Sequence, residues 1–226
     1  MSWEQVYQQW LNEENIPENL KNELKDLNTD PEKCEDAFYA PLEFGTAGMR
    51  GILGAGINRM NIFTVRQATE GLARFMDTQD PETKRRGVAI AYDSRHMSPE
   101  FAMEAAKTLA KHDIPSFVFE SLRPTPELSF AVRYFKAFAG IMITASHNPA
   151  AYNGYKVYGE DGGQMPPADA DALTKYVRSI ENSLKIDVLS DEEVAHSGLI
   201  NIVGEEVDNA YLKEIKTVTI NQELIN

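Results

Sequence analysis

Thr144-Ala145-Ser146-His147-Asn148-Pro149 sets a small hydroxyl, an imidazole and an amide in three successive positions. The apolar run Phe138-Ala139-Gly140-Ile141-Met142-Ile143 precedes it and reads as a buried strand. Asn148-Pro149 then stops the chain from continuing as strand or helix. A hydroxyl displayed where a strand ends is how a fold offers a nucleophile to a ligand, so Ser146 is the candidate nucleophile. A second constellation is Gly45-Thr46-Ala47-Gly48-Met49-Arg50-Gly51. Backbone N–H groups in such turns form anion nests, and arginine adds a planar, permanently charged fork that matches phosphate. Alone, this composition fits an ordinary glycine-rich hairpin equally well. Beside Ser146 it gains weight, because a serine that carries a phosphoryl group needs positive groups nearby.

Other chemistries are set aside on spacing. No G-x-S-x-G surrounds Ser146, so the hydrolase elbow is missing. His147 adjoins Ser146, and neighbouring side chains of extended chain point apart, which makes it a poor base for a Ser–His pair. His96, His112, His147 and His196 show no H-E-x-x-H spacing, and Cys34 is the single cysteine, so nothing supports a zinc site. Gly54-Ala55-Gly56 lacks the third glycine of a dinucleotide fingerprint. Asp169-Ala170-Asp171 looks like a metal pair but falls just inside a helix opened by Pro166-Pro167, where acidic residues suit the helix dipole.

Bulk properties narrow the partners. The net charge of −13 argues against a general nucleic-acid or anionic-membrane binder. A lone cysteine makes no intrachain disulfide and fits a reducing compartment. No positively charged, apolar N-terminal signal is present, and no apolar run approaches a membrane span. The expectation is a cytoplasmic protein with a small-molecule partner, no nucleic acid and no membrane.

The elements that must position these groups follow from periodicity. Residues 1–40 are polar and acidic, with Trp3, Val6, Tyr7, Trp10 and Leu11 at helical spacing and a second short pattern through Leu20, Leu24 and Leu27. They read as a helical extension lying on the main body. Phe44 to Asn61 is dense in glycine and reads as loop and hairpin. A helix with Val65, Ala68, Leu72 and Met76 on one face follows, then a polar connection from Asp77 to Arg86. Val88 to Tyr92 is a strand ended by Asp93-Ser94-Arg95. Ser98-Pro99-Glu100 predicts a helix capped by Ser98, and Thr125-Pro126-Glu127 repeats that start. Pro115 to Phe119 and Tyr155 to Tyr158 are further strands, and Pro166-Pro167 opens a helix through Ile180. Val207 to Ile215 reads as helix, and Thr217 to Ile220 as the start of another strand. Strands alternating with helices predict an α/β layered domain with a mostly parallel mixed sheet flanked by helices. The expected division is a helical extension over 1–40, the main domain over 41–205, and a linker or the start of a second domain over 206–226.

Phe44 to Gly51, Tyr92-Asp93-Ser94-Arg95, Thr144 to Pro149 and Asn153-Gly154-Tyr155-Lys156 occur in this order. Together they resemble the first domain of the α-D-phosphohexomutase family, which includes phosphoglucomutases and phosphomannomutases. Tyr152 to Gln164 is similar to the large bacterial phosphoglucomutase-like branch. The resemblance covers roughly residues 41 to 180.

It implies that Ser146 carries a phosphoryl group, gives it to a hexose monophosphate, and regains the other phosphate after a bound bisphosphate turns around. Such transfers depend mainly on positioning and charge neutralisation. The implied cofactors are Mg²⁺, bound to a phosphoserine oxygen of Ser146, and glucose 1,6-bisphosphate as activator and intermediate. Lys156 resembles the family lysine that assists proton transfer at the sugar hydroxyl, a task that burial near cations would favour by lowering its pKa. Arg50 resembles the arginine beside the transferring phosphoryl. Thr46 and Gly48 would shape that loop, and His147 and Asn148 would hold the serine loop and contact the phosphoryl group. Arg95 either reaches the same pocket or pairs with Asp93 or a helix carboxylate. Tyr152 and Asn153 are expected to fix the local turn. The family's D-G-D-x-D-R metal loop has no counterpart in the sequence. The remaining metal ligands, the sugar loop and the remaining domains are therefore expected in a longer parent chain, and the 226 residues alone are expected to be inactive. Mannose or pentose phosphates, or a non-catalytic phosphosugar-binding module, are the alternatives to glucose phosphates.

Overall fold

A computed structural model describes residues 1–45, 48–218 and 220. Three helices open the chain: α1 (Trp3–Leu11), α2 (Glu18–Leu27) and α3 (Pro31–Phe38). Ser2 and Gln5 form a reciprocal capping box on α1, and Asp30 caps α3, whose first residue is Pro31. Of the anticipated stripe, Tyr7 and Trp10 are buried with Leu24 and Phe38, Trp3 and Val6 pack part-buried against them, and Leu11 is exposed. Trp10 meets Phe38 and Phe63 edge-on, which seats the extension on the body of the protein.

The body follows as β1 (Met49–Ile52), α4 (Ile62–Asp77), α5 (Pro81–Arg86), β2 (Val88–Tyr92), α6 (Ser98–Ala110), β3 (Ser116–Phe119), α7 (Thr125–Phe135), β4 (Ala139–Ile143), β5 (Tyr152–Tyr158), α8 (Pro167–Arg178), α9 (Asp191–Ser197), β6 (Ile200–Val203) and α10 (Glu205–Thr217). The strands form one sheet in the order β1-β5-β4-β2-β3-β6. β2 pairs in parallel with β3 and β4, and β3 with β6. β5 runs antiparallel between β1 and β4. The sheet is thus mixed and mostly parallel, as its sequence predicts. β2 and β4 are buried along their whole length, as strands covered on both faces must be. Val65, Leu72, Phe101, Leu109, Leu173 and Val177, from α4, α6 and α8, share one core with one face of the sheet. Leu128 and Val132 of α7 and Val207 of α10 cover the other face with Ala89, Ala91 and Met142.

The structure departs from the sequence reading at several places. The glycine-dense stretch read as loop and hairpin contains β1, which pairs with β5, and α9 forms in the acidic tail, where no helix is expected. The polar tract Asp77 to Arg86 contains α5, started by an Asp80 cap and Pro81. Ser98 is not the cap of α6: Met97 holds that position in the left-handed region, and Ser98 is the first helical residue. Its buried hydroxyl donates to Asp93 and leaves the helix N–H groups alone. Thr125 likewise lies inside α7, with Pro124 at the cap and no side-chain capping bond. β6 was not anticipated; its four residues are half-buried or exposed at the sheet edge, so the sequence carries little apolar signal. Thr217 ends α10 and Val218 follows as a turn, where a strand is expected; Thr219 lies outside the described residues.

Candidate active site

The order of connections places the site. From β2 the chain goes to β3 on one side, then returns to β4 on the other. In open α/β sheets such a switch point opens a crevice beyond the carboxyl ends of the strands, where ligands bind. Asp93-Ser94-Arg95 leaves the end of β2 and Thr144 to Pro149 leaves the end of β4, so both flank that crevice. β5 starts there in the opposite direction, and β1 lies beyond it, with Arg50 opposite Gly154.

Ser146 is exposed at the tip of this loop, with φ of 56°. A serine seldom holds a left-handed conformation without help, and such strain persists only where surroundings determine it. Here the backbone is tied at several points. Ser146 N–H donates to Thr144 Oγ1 at 2.9 Å, and Thr144 Oγ1 donates to Asp93 Oδ2 at 2.6 Å. The Arg95 guanidinium donates to the carbonyls of Ser146 and Asn148 at 2.9 and 2.7 Å, and to those of Pro149 and Tyr152 at 2.9 and 3.0 Å.

Lys156, on β5, reaches the displayed hydroxyl: its Nζ donates to Ser146 Oγ at 2.8 Å. Burial, and after it the Arg50 guanidinium, hold Lys156 below the ordinary lysine value, with Asp93 opposing. Arg50, on β1, donates from Nη1 to Asn148 Oδ1 at 2.7 Å and so joins the first strand to the serine loop. Gly48 lets this edge close. Its φ is 84°, and a Cβ there would lie 1.9 Å from the Tyr155 carbonyl oxygen. Asn153 is fully buried and donates to the His96 carbonyl and to Ser98 Oγ, so it ties β5 to the start of α6 rather than fixing only its local turn.

Ser146, Lys156, Arg50 and Asn148 therefore converge. His147 is exposed and its ring makes no hydrogen bond among the described residues. Thr46 lies outside the described residues. Arg95 does reach the serine loop, but its donors are directed to backbone carbonyls, and its Nε also pairs with Asp93 Oδ2 at 3.4 Å. The residues that sequence reasoning passed over are Asp93 and Thr144. The available signal was position: a carboxylate at the end of one buried strand and a hydroxyl at the end of the next.

The fit to a divalent ion is limited. Asp93, the carboxylate at this loop, already accepts from Thr144, Ser98, the Arg95 backbone N–H and the Arg95 side chain. Among the described residues no three His, Cys, Asp or Glu side chains converge as a metal site. A phosphorylated Ser146 would offer one oxygen ligand, so these residues by themselves do not make a Mg²⁺ site.

Residues 41–184 match the sequence model of the phosphoglucomutase/phosphomannomutase alpha/beta/alpha domain I. The chain belongs to the phosphoglucomutase/phosphomannomutase family, and what it contains of that family is the N-terminal domain. A phosphoglucomutase of Staphylococcus saprophyticus is 40% identical over 209 residues, which cover 92% of this chain and 37% of that protein. A phosphoglucomutase of Staphylococcus epidermidis is 43% identical over 189 residues, 84% of this chain and 34% of that one. The crystal structure of a candidate phosphomannomutase from Thermus thermophilus superposes with a TM-score of 0.56 at 31% identity, over 69% of this chain and 34% of that chain. The chain thus spans about a third of the length of the curated relatives it matches. No helix among the described residues is long and apolar enough to cross a membrane.

Proposed function

We propose that this chain supplies the phosphoserine domain of a cytoplasmic phosphosugar mutase that interconverts glucose 1-phosphate and glucose 6-phosphate. The observation that carries the reading is the 2.8 Å contact from Lys156 Nζ to Ser146 Oγ at the switch-point crevice, with Arg50 beside it. The phosphoglucomutase relatives support glucose phosphates as substrates.

In this reading Ser146 rests as a phosphoserine. A sugar hydroxyl attacks the phosphorus in line and the P–Oγ bond breaks. Neutral Lys156 takes the proton of the attacking hydroxyl and returns it to Ser146 Oγ, leaving a serine hydroxyl and a bound glucose 1,6-bisphosphate. The lowered Lys156 pKa supports that relay, since a general base works best when its pKa lies near the operating pH. The bisphosphate turns, and the reverse sequence returns its other phosphate to Ser146. Arg50 neutralises charge on the transferring group, and Asn148, which accepts from Arg50, sets the fork's direction. Gly48 precedes β1, which carries Arg50, and exposed His147 faces solvent where the phosphoryl group enters. Mg²⁺, when bound, would neutralise phosphoryl oxygens; these residues offer it only the phosphoserine. For that reason the 226 residues alone are proposed to give no turnover.

The test is where phosphate resides. The parent enzyme that contains this domain, isolated from its native cell or incubated with glucose 1,6-bisphosphate and Mg²⁺, should carry one phosphoryl group, mapped to Ser146 by mass spectrometry. Ser146→Ala should lack it and lose mutase turnover by at least roughly a thousandfold. A wild-type protein that carries no phosphoryl group on Ser146 under either condition would sink the reading.

A further inference from the structure

Asp93 is the point at which four parts of the site meet. Its Oδ1 accepts from the Arg95 backbone N–H and from Ser98 Oγ, both at 3.0 Å. Its Oδ2 accepts from Thr144 Oγ1 at 2.6 Å and faces Arg95 Nε at 3.4 Å. Ser98 in turn accepts from Asn153 Nδ2 at 2.9 Å, and Asn153 lies on the strand that carries Lys156. One carboxylate therefore connects the end of β2, the start of α6, the end of β4 and the start of β5.

We propose that Asp93 is the positioning residue of this site: through Thr144 and Arg95 it holds Ser146 in its left-handed conformation, with Oγ on Lys156. The inference deepens the phosphoserine reading and, in its kinetic consequence, rests on it. Two chains of contact carry it. Thr144 Oγ1 accepts the Ser146 N–H only while its own proton is directed elsewhere, and Asp93 Oδ2 is where that proton goes. Arg95 bonds four carbonyls of residues 146–152 only while its guanidinium stays under the loop, and Asp93 faces it from β2. A neutral amide in place of Asp93 keeps the shape. It removes the negative partner of Arg95 and leaves a single acceptor oxygen where two are used, so the Thr144 hydroxyl and the pair formed by Ser98 Oγ and the Arg95 N–H can no longer both be satisfied. Charge-assisted bonds of this kind are the strong ones. Asp93 touches no reacting atom; beside its pull on the Lys156 ammonium, the contribution proposed is geometry, and near-attack geometry is what a phosphoryl transfer requires of a protein.

The deciding experiment is residue-resolved amide hydrogen exchange on the wild type, Asp93→Asn, Thr144→Val and Thr144→Ser. Asp93→Asn and Thr144→Val should speed exchange at Ser146 at least tenfold and leave the amides of β2 and β4 unchanged. Thr144→Ser, which keeps the hydroxyl, should stay within about twofold of wild type. Unchanged exchange at Ser146, or acceleration spread evenly over the sheet, overturns the proposal. A second arm measures mutase kinetics in the holoenzyme. There kcat should fall at least tenfold in Asp93→Asn and Thr144→Val with KM within about threefold, and Thr144→Ser should recover it. A kcat unaffected by these substitutions, despite faster exchange, also overturns the proposal. Wild type that takes no phosphate on Ser146 counts against the phosphoserine reading instead, and exchange then decides the brace on its own.

Discussion

Lys156 sits between neighbours that pull its titration in opposite directions. Burial and Arg50 favour the neutral amine, and Asp93 favours the ammonium. If neutral Lys156 relays the proton between sugar hydroxyl and Ser146 Oγ, the rate of phosphoryl transfer rises with pH through the Lys156 pKa. Removing a neighbouring cation raises a lysine pKa, so Arg50→Gln should move that limb of the kcat profile to higher pH, besides lowering its plateau. Lys156→Met should abolish the limb and cost about a hundredfold or more in kcat. A limb that stays put in Arg50→Gln would show that another group titrates. Ser146 and Arg50 stand out in the sequence because each combines a reactive side chain with a strand-end or glycine-loop setting, whereas Lys156 enters only through the family resemblance, since alone it reads as a surface lysine on a strand. Asp93 was not, because its role lies in bonds to residues about fifty positions away, and nothing local announces them. The two roles open to Arg95, pocket contact or ion pair, became a third: a clamp on carbonyls, with the ion pair as its anchor.

Helix α4 is the element on which the site's strands rest. The Thr69 and buried Tyr155 hydroxyls are hydrogen-bonded at 3.1 Å, one residue from Lys156. Further along α4, Gly71 allows α8 to approach. A Cβ at that position would lie 2.4 Å from Val177 Cγ2 and 2.8 Å from the Val177 backbone nitrogen. Helix propensity alone predicts that Gly71→Ala stabilises by up to about 1 kcal/mol. The contact is with backbone, which no rotamer change relieves, and overpacking of this kind costs about 1–3 kcal/mol. The clash should win. Gly71→Ala should lower the unfolding free energy from urea titration by about 1–2 kcal/mol, and adding Val177→Ala should recover only part, since the nitrogen stays. An alanine variant as stable as wild type would mean that α8 moves freely. The periodic helices were plain in the sequence because a broad apolar face repeats over several turns. Edge strand β6 and the cap of α6 were not. The first buries too little to leave a pattern, and the second offered a serine whose hydroxyl the tertiary structure uses elsewhere.

At the scale of the whole molecule, the site occupies one end of the sheet, and α10 covers part of the α7 face. The contacts that seat α10 include Val207 in the core, Tyr211 against Phe130, the Tyr134 hydroxyl donating to Glu206 Oε1 at 2.9 Å, and a bidentate pair from Arg123 to Asp208 at 2.7 Å on both arms. Glu127 lies beneath this pair, buried, with Oε1 lacking a hydrogen bond among the described residues and Arg123 Nε 3.9 Å away. Burial first, then its bond to Asp208, raises the Glu127 pKa from about 4.5 to about 7, against the pull of Arg123. Asp208 is held low by the Arg123 hydrogen bonds, and Glu120 adds a carboxylate 3.8 Å from the same guanidinium. Between those two pH values the folded state holds a proton that the unfolded state releases. Stability therefore falls as pH rises through this window, and the contribution is complete below about 4.5 and lost above about 7. His112, raised by Glu70 first and also by Asp77, loses its own contribution in the same direction, so wild-type pH dependence alone does not isolate Glu127. Glu127→Gln does. The amide keeps the shape, donates to Asp208 at every pH and leaves no buried charge. Its unfolding free energy should match wild type near pH 5 and exceed it by about 1–2 kcal/mol at pH 8, the scale set by one ill-satisfied buried carboxylate. A difference that does not change between pH 5 and pH 8 would place the proton elsewhere and make α10 docking independent of Glu127.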